Sequence, residues 1–274
     1  GRVLFLVGLF FTSTIGSMRY NLIPAAGLGK RFLDARYALP KPLISVDGMP
    51  MVVRAANTLP QADKWGFLFR KEHVELYSID EAVRREYPDS DVIVVPSLTG
   101  GQASTCMLGE SYIDSDAILT IGACDNGMVW KKSMFESLLC DEHTDVLVWT
   151  FRNHPTVARN PHMYGWVDVD NNDFVKKVSV KIPLSDQPLN DHAVVGTFTF
   201  KKASMFFNAA RKMILERRTV NNEFYIDACM NVLVEEGFRI KVFEVEKYIC
   251  WGTPNDLRTY EYWSNYFSTM YNKS

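Results

Sequence analysis

The first residues whose types and spacing could do chemistry are two glycines, two bases and a lysine flanked by prolines. Leu22-Ile-Pro-Ala-Ala runs directly into Gly27-Leu-Gly29, then Lys30 and Arg31, and one loop later Pro40-Lys41-Pro42-Leu43. Glycines let backbone N–H groups approach phosphate oxygens with no Cβ in the way, and basic residues beside them neutralise a polyphosphate. Proline on both sides of Lys41 stiffens the backbone that would aim its ammonium. The dinucleotide fingerprint does not fit, because Phe32 stands where a third glycine is needed and the run near 65–70 ends in Arg70, not an acid. The P-loop does not fit either: Pro24 occupies the first glycine position and Arg31 follows the lysine. A third candidate is Asp125, which follows the apolar run Ile118–Ala123. A hard carboxylate at a strand end suits Mg²⁺ shared with substrate phosphates; the plainer reading is an acid opening the loop Asn126-Gly127.

Positioning these groups needs strands that end in loops, and the pattern supplies them. Strands are expected at Tyr20–Ala25, Trp65–Arg70, Val92–Val95, Ala117–Ile121, Val146–Phe151, Tyr164–Val169, Val175–Val180, Ala193–Phe200 and Ile240–Val245. Helices are expected at Met51–Thr58, Val74–Arg85, Ala103–Glu110, Lys131–Leu139, Ala203–Glu216, Glu223–Glu236 and Pro254–Phe267. Strands alternating with helices over the first 150 residues imply a parallel sheet covered on both faces, and the strand-rich stretch 160–200 implies a mixed extension of it. With no repeat, low-complexity tract or linker, residues 18–274 read as one domain. Residues 1–17 read as a tag or non-native leader: Val3–Phe11 is apolar but far too short to span a bilayer, and Gly16-Ser17-Met18 resembles a cloning junction before a native start.

Composition bounds the partners. The net charge of -2 and 23% charged residues give no polyelectrolyte character, so neither nucleic acid nor an anionic membrane is an expected partner. Five scattered cysteines without a C-x-x-C pair suit a reduced compartment, hence the cytoplasm, and argue against a disulfide framework or a structural zinc.

Taken together, A-A-G-x-G-x-R-F and P-K-P-L-I closely resemble the signature of the sugar-phosphate nucleotidyltransferase family. The resemblance continues through Gly100-Gly-Gln-Ala-Ser-Thr105, Ile121-Gly-Ala-Cys-Asp-Asn126, Val178-Ser-Val-Lys181 with Ser185-Asp186, Val195-Gly-Thr-Phe-Thr-Phe200, Asn221-Asn-Glu-Phe-Tyr225 and Trp251-Gly-Thr-Pro-Asn-Asp-Leu257. It implies an α/β, Rossmann-like three-layer α/β/α sandwich with a mixed, mainly parallel sheet of the GT-A-like nucleotidyltransferase type. The activity it implies is Mg²⁺-dependent transfer of a nucleotidyl group from a nucleoside triphosphate to a phosphorylated small molecule, a sugar 1-phosphate first, with pyrophosphate released.

By this resemblance Arg31 clamps the leaving phosphates, Lys41 reaches the α-phosphate, and Asp125 holds Mg²⁺. Ala26, Gly27 and Gly29 form the nucleotide loop, and Gly101 with Gln102 reads the base, since a glutamine amide both donates and accepts. Lys181, Asn222 and Glu223 would meet the acceptor, although Asn222 could equally cap a helix. Lys30 reads as solvated, and Trp166 and Trp251 either wall the acceptor pocket or pack in the core. The sequence departs from the family at two points. Cys250 stands where many members place a second metal-binding Asp, leaving Glu223 or Asp227 as substitutes, and Val180 replaces the acid that usually precedes the Lys181 position. Two other functions remain open: a glycosyltransferase, which would want an Asp-x-Asp that Cys124-Asp125-Asn126 does not supply, and a non-catalytic nucleotide sensor. A homo-oligomer is compatible with all of these.

Overall fold

Alternation along the first strand sets the layers. In β1 (Arg19–Ala25) Tyr20 and Leu22 enter one hydrophobic core, while Ile23 and Ala25 enter another on the opposite face. The chain is described by a computed structural model over residues 17–271. The leader expected over 1–17 thus lies, except for Ser17, outside the described residues.

The strands that follow are β2 (Ser45–Val46), β3 (Met49–Pro50), β4 (Lys64–Arg70), β5 (Asp91–Val95), β6 (Ile118–Ile121), β7 (Asn126–Val129) and β8 (Val146–Phe151). After them come β9 (Gly165–Val169), β10 (Val175–Val180), β11 (His192–Phe200), β12 (Ile240–Glu244) and β13 (Lys247–Cys250). The helices are α1 (Lys30–Asp34), α2 (Met51–Ala56), α3 (Lys71–Tyr77), α4 (Ile79–Arg84), α5 (Gln102–Met107), α6 (Lys132–Cys140), α7 (Pro155–Arg159), α8 (Ala203–Leu215), α9 (Ile226–Glu235) and α10 (Pro254–Tyr271).

A nine-stranded sheet among the described residues runs β10-β9-β11-β6-β1-β4-β5, with β8 on the far edge of β11 and β12 beyond it. The strands β6, β1, β4 and β5 are mutually parallel, as are β8 and β12; β11 is antiparallel to each of its three neighbours. One strand can serve three partners because its register shifts between Val194 and Phe198, where Gly196 adopts φ 98°. Its first residues pair with β9 and its last with β6. Helices α5, α8 and α9 cover one face and α2, α4 and α6 the other, giving the expected α/β/α sandwich. Buried polar groups on β6, β8 and β11 satisfy one another: Trp149 Nε1 donates to Thr199 Oγ1 at 3.0 Å, and the Thr199 and Thr120 hydroxyls meet at 3.0 Å.

Each expected strand is present within one residue of its expected ends. Two helices differ. The stretch expected as one helix over 74–85 is broken at Ser78, which turns left-handed at φ 49°. On a continuous helix Val74 and Ile79 would point about 140° apart; the break turns both towards the same core, with Ile79 and Val83 fully buried. The helix expected from Glu223 begins only at Ile226, because 223–225 belong to a clip described below. A two-residue hairpin (β2–β3), the short α1 and α7, and an antiparallel pair formed by β7 and β13 were not expected.

Candidate active site

The loops at the carboxyl ends of β1 and β6 open on the same side of the sheet, where an open α/β fold has a crevice. After β1 the chain makes the Gly27–Gly29 turn and enters α1. Gly29 has φ 60°, and a Cβ there would meet the Lys41 Cβ at 3.0 Å. This close approach seats the Pro40–Leu43 segment against the glycine turn. Lys41 ion-pairs with Asp125 Oδ2, and both side chains are mostly covered, at 19% and 28% exposed. Burial opposes the ammonium, but the Asp125 carboxylate more than offsets this and holds the Lys41 pKa above its ordinary value.

Asp125 is fixed from the far end of the chain. The β7–β13 pair puts Cys250 opposite Asn126, Trp251 N–H donates to the Asp125 carbonyl at 3.0 Å, and Asn126 Nδ2 donates to Val195 O at 2.9 Å. A Cβ on Gly252 would lie 3.2 Å from Asp125 Oδ2 and 3.7 Å from Cys250 Sγ, so thiol and carboxylate flank one glycine. Burial, with the nearby Asp256 charge, pushes the Cys250 thiol up to about 12, so it stays protonated at neutral pH.

A second clip places Gln102. Phe224 N–H donates to Gly100 O at 2.8 Å, and Ala103 N–H donates to Phe224 O at 3.0 Å. Gly101, between them, sits at φ 132° and ψ 179°, a region open essentially only to glycine. The clip brings Gln102 beside Glu223 and Tyr225.

Two cavities open from this arrangement. The larger, about 610 Å³, is lined by Ala26, Gly27, Gly29, Lys30, Lys41, Gly101 and Gln102, with Asp125, Glu223 and Tyr225 at its edge. The smaller, about 250 Å³, is lined by Arg31, Lys181, Asp227, Tyr164, Tyr248, Cys250 and Asp256, among others. Gln102, Ala123, Asp125 and Tyr225 border both, so the cavities form one cleft with Asp125 at the seam. In the smaller cavity Lys181 donates to Met163 O and its Nζ stands 5.3 Å from the Tyr225 ring centre. Burial lowers the Lys181 pKa, and the same cause raises that of Asp227. Thr253 Oγ1 donates to Asp256 Oδ2 at 2.7 Å, with Cys250 Sγ 3.5 Å from the same oxygen.

Most residues singled out in the sequence therefore meet in one cleft. Glu223 borders the larger cavity and not the smaller one, and Asn222, exposed at φ 61°, lines neither. Arg31 faces the smaller cavity beside Lys181, whereas Lys30, read as merely solvated, lines the larger. Trp166 and Trp251 are 0% and 1% exposed and line neither cavity, which makes them core residues. Tyr164, Tyr225, Tyr248 and Asp256 receive no role from the sequence, although Tyr225 and Asp256 lie in segments that carry the resemblance; their place in the cleft comes from tertiary position.

A divalent cation has one evident protein ligand here. Among the described residues, no group of three His, Cys, Asp or Glu could hold a metal. Asp125 offers a carboxylate on a cleft wide enough for a polyphosphate, which fits a Mg²⁺ that arrives largely coordinated by its nucleotide. No described helix is long and apolar enough to cross a membrane.

No protein-family model matches the chain, and no curated protein matches its sequence. Solved structures do match its fold. The nucleoside-diphosphate-sugar pyrophosphorylase from Vibrio cholerae RC9 superposes with a TM-score of 0.69 at 19% identity, over 88% of this chain and 98% of that one. The inositol-1-phosphate CTP transferase from T. maritima gives 0.68 at 18% identity, over 90% and 95%. A UDP-glucose pyrophosphorylase in complex with UDP-glucose gives 0.70 at 16% identity, over 92% and 99%. Over nearly its whole described length, then, the chain has the fold of these sugar-phosphate nucleotidyltransferases.

Proposed function

We propose that this chain is a cytoplasmic, Mg²⁺-dependent nucleotidyltransferase that joins a nucleoside triphosphate to a phosphorylated small molecule and releases pyrophosphate, a sugar 1-phosphate being the first acceptor to test. The observation that carries this reading is the Lys41–Asp125 ion pair at the seam of two cavities, one lined by glycines and bases, the other by two cations, acids and tyrosines. A nucleotide sensor has no use for the second cavity.

The larger cavity takes the nucleotide, with Gln102 on the base and the Gly27–Gly29 turn against the phosphates. The smaller takes the acceptor, its phosphate towards Arg31 and Lys181 and its hydroxyls towards Asp227 and the tyrosines. An acceptor phosphate oxygen attacks the α-phosphorus; the bond to the oxygen bridging α and β breaks, and pyrophosphate leaves with that electron pair. Lys41, kept charged by Asp125, stands where negative charge grows on the α-phosphoryl oxygens. Lys30, on the wall of the larger cavity, would meet the departing pyrophosphate. Asp125 would hold the Mg²⁺, which when bound supplies further charge neutralisation at the α-phosphate. The rest of the protein's task is alignment of two anions that would otherwise repel each other.

The test is pyrophosphate release from four nucleoside triphosphates against a panel of phosphorylated acceptors, with and without chelator, for wild type and Asp125→Ala. Release should require both substrates and the metal, and Asp125→Ala should abolish it without altering the melting transition. No release with any pair, or a fully active Asp125→Ala protein, would overturn the reading.

A further inference from the structure

The last helix leaves the body of the protein halfway along its length. Its first half is anchored: Leu257 is buried, Tyr260 packs edge-on against Trp251 at 5.6 Å, and the Tyr260 and Ser264 hydroxyls both donate to the Asp47 carboxylate. From Asn265 onward every described residue of α10 is exposed. Tyr262 and Trp263 before this point, and Tyr266, Phe267 and Met270 beyond it, are exposed by 64%, 50%, 47%, 53% and 55%. At helical spacing these five fall on one arc of about 140°, turned away from Leu257 and Ser264.

Neither propensity nor local pairing explains such a helix. Its outer half is built mainly from aromatic residues, Ser, Thr and Asn, which are indifferent or poor helix formers, with Met270 the exception. Rings along the arc do touch, Trp263 and Phe267 stacking at 6.1 Å, but pairs of this kind stabilise an isolated helix by only about 0.2–0.5 kcal/mol each. A helix with one continuous apolar stripe is ordinarily held by what covers the stripe.

We propose that a second copy of this chain covers it, the two α10 helices crossing about a two-fold axis with their aromatic arcs face to face. Charge supports self-pairing. No charged residue occurs from Tyr262 to Tyr271, so two copies meet without like-charge repulsion. The same absence disfavours a lipid surface, since interfacial helices carry Lys and Arg along their polar face. Area supports it as well. Large aromatic side chains bury about 150–250 Å² each, so four half-exposed ones together with Met270 offer roughly 500 Å² per copy and about 1,000 Å² in all, enough for a specific contact. Aromatic residues and Met are the types enriched at the centre of such interfaces. The contact lies outside the two cavities and does not depend on the proposed chemistry.

Sedimentation velocity of the whole chain tests this, comparing wild type with Trp263→Glu/Phe267→Glu and with Asn265→Lys on the opposite side of the helix. Wild type and Asn265→Lys should sediment at twice the monomer mass at micromolar concentration, and the double variant as a monomer that still unfolds in one cooperative transition, at a somewhat lower temperature because the partner's stabilisation is lost. If the double variant folds poorly, Met270→Arg makes the same test. A monomeric wild type, or a dimer that survives the double variant and Met270→Arg, overturns the proposal. A wild type that stays monomeric and floats with phosphatidylcholine vesicles overturns it in favour of a lipid surface.

Discussion

Replacing Gly101 with Ala should damage the site through the backbone alone. The added Cβ would fall 2.6 Å from Phe224 N and 2.7 Å from Phe224 O, and neither atom belongs to a side chain that could rotate away. The protein then has two responses. Keeping the clip forces a non-glycine residue to hold φ 132°, at about 1–3 kcal/mol before the clash is counted. Opening the clip forfeits the Phe224-to-Gly100 and Ala103-to-Phe224 hydrogen bonds, at about 0.5–1.5 kcal/mol each and so about 1–3 kcal/mol together. Because the clash adds to the first response only, opening is favoured, and the loss of stability is about 1–3 kcal/mol. For a chain of this size that lowers the melting temperature by roughly 2–5 °C. Opening also frees Gln102 and Tyr225, so apparent nucleotide affinity should fall about tenfold or more, equivalent to about 1.4 kcal/mol. Thermal denaturation and the nucleotide dependence of pyrophosphate release measure the two effects. Gly100→Ala is the control: its Cβ would meet only the Phe224 ring, at 3.3 Å, and the Ser104 hydroxyl, at 3.5 Å, both able to shift, so its effects should be much smaller. A Gly101→Ala protein that melts with the wild type and binds nucleotide equally well would refute the clip's role.

Other outcomes follow from the same geometry. At Gly27 a Cβ meets nothing within 4 Å yet projects from the wall of the larger cavity, so Gly27→Ala should leave the melting temperature unchanged while raising the nucleotide KM; an unchanged KM removes Gly27 from the site. Lys41→Ala should lower turnover by about 10²-fold or more with a smaller change in substrate affinity, as expected of a group that meets charge developing in the transition state, whereas Arg31→Ala, which removes a partner of the acceptor phosphate, should also raise the acceptor KM; a loss in affinity alone would make Lys41 a binding residue. Buried His192, with Nδ1 2.8 Å from the Thr150 hydroxyl, has its pKa lowered by burial below the ordinary 6.5. The folded state therefore binds fewer protons than the unfolded one, so stability is full above pH 6.5 and falls as pH drops through the lowered value. Denaturant titrations of wild type and His192→Gln should show this acid-side slope reduced in the variant; identical slopes would remove His192 as its source.

What the sequence made legible depended on how locally each feature is encoded. The nine strands of the main sheet announce themselves as apolar or alternating runs, and the glycine turn with Lys41 lies within some twenty consecutive residues. The pair β7–β13 gives no such signal: Asn126-Gly127 looks like a turn, Lys247–Cys250 merely continues past β12, and only their distant partnership makes either a strand. Ser78 hides its break because a left-handed serine fits a helical pattern until the two sides must face one core. In the site, Asp125 and Cys250 were recognisable by their place in motifs. Tyr164 and Tyr248 were not, because single residues on separate segments have no spacing to read, and Tyr225 and Asp256, though inside matched segments, carry no local sign of the cavity they border.

The β7–β13 pairing also bears on how the protein is made. Asp125 and Asn126 depend on a strand that leaves the ribosome more than a hundred residues after them. Until Lys247–Trp251 arrives, the Asp125 carbonyl lacks the Trp251 amide and Asn126 lacks its ladder partner, although most of the sheet could already have formed. A partly synthesised chain, or one cut after β12, would retain the strand order and much of both cores without the strap that seats its carboxylate. Competence at the cleft should thus wait for β13, while the glycine turn and Gln102 that would meet the nucleotide are already in place.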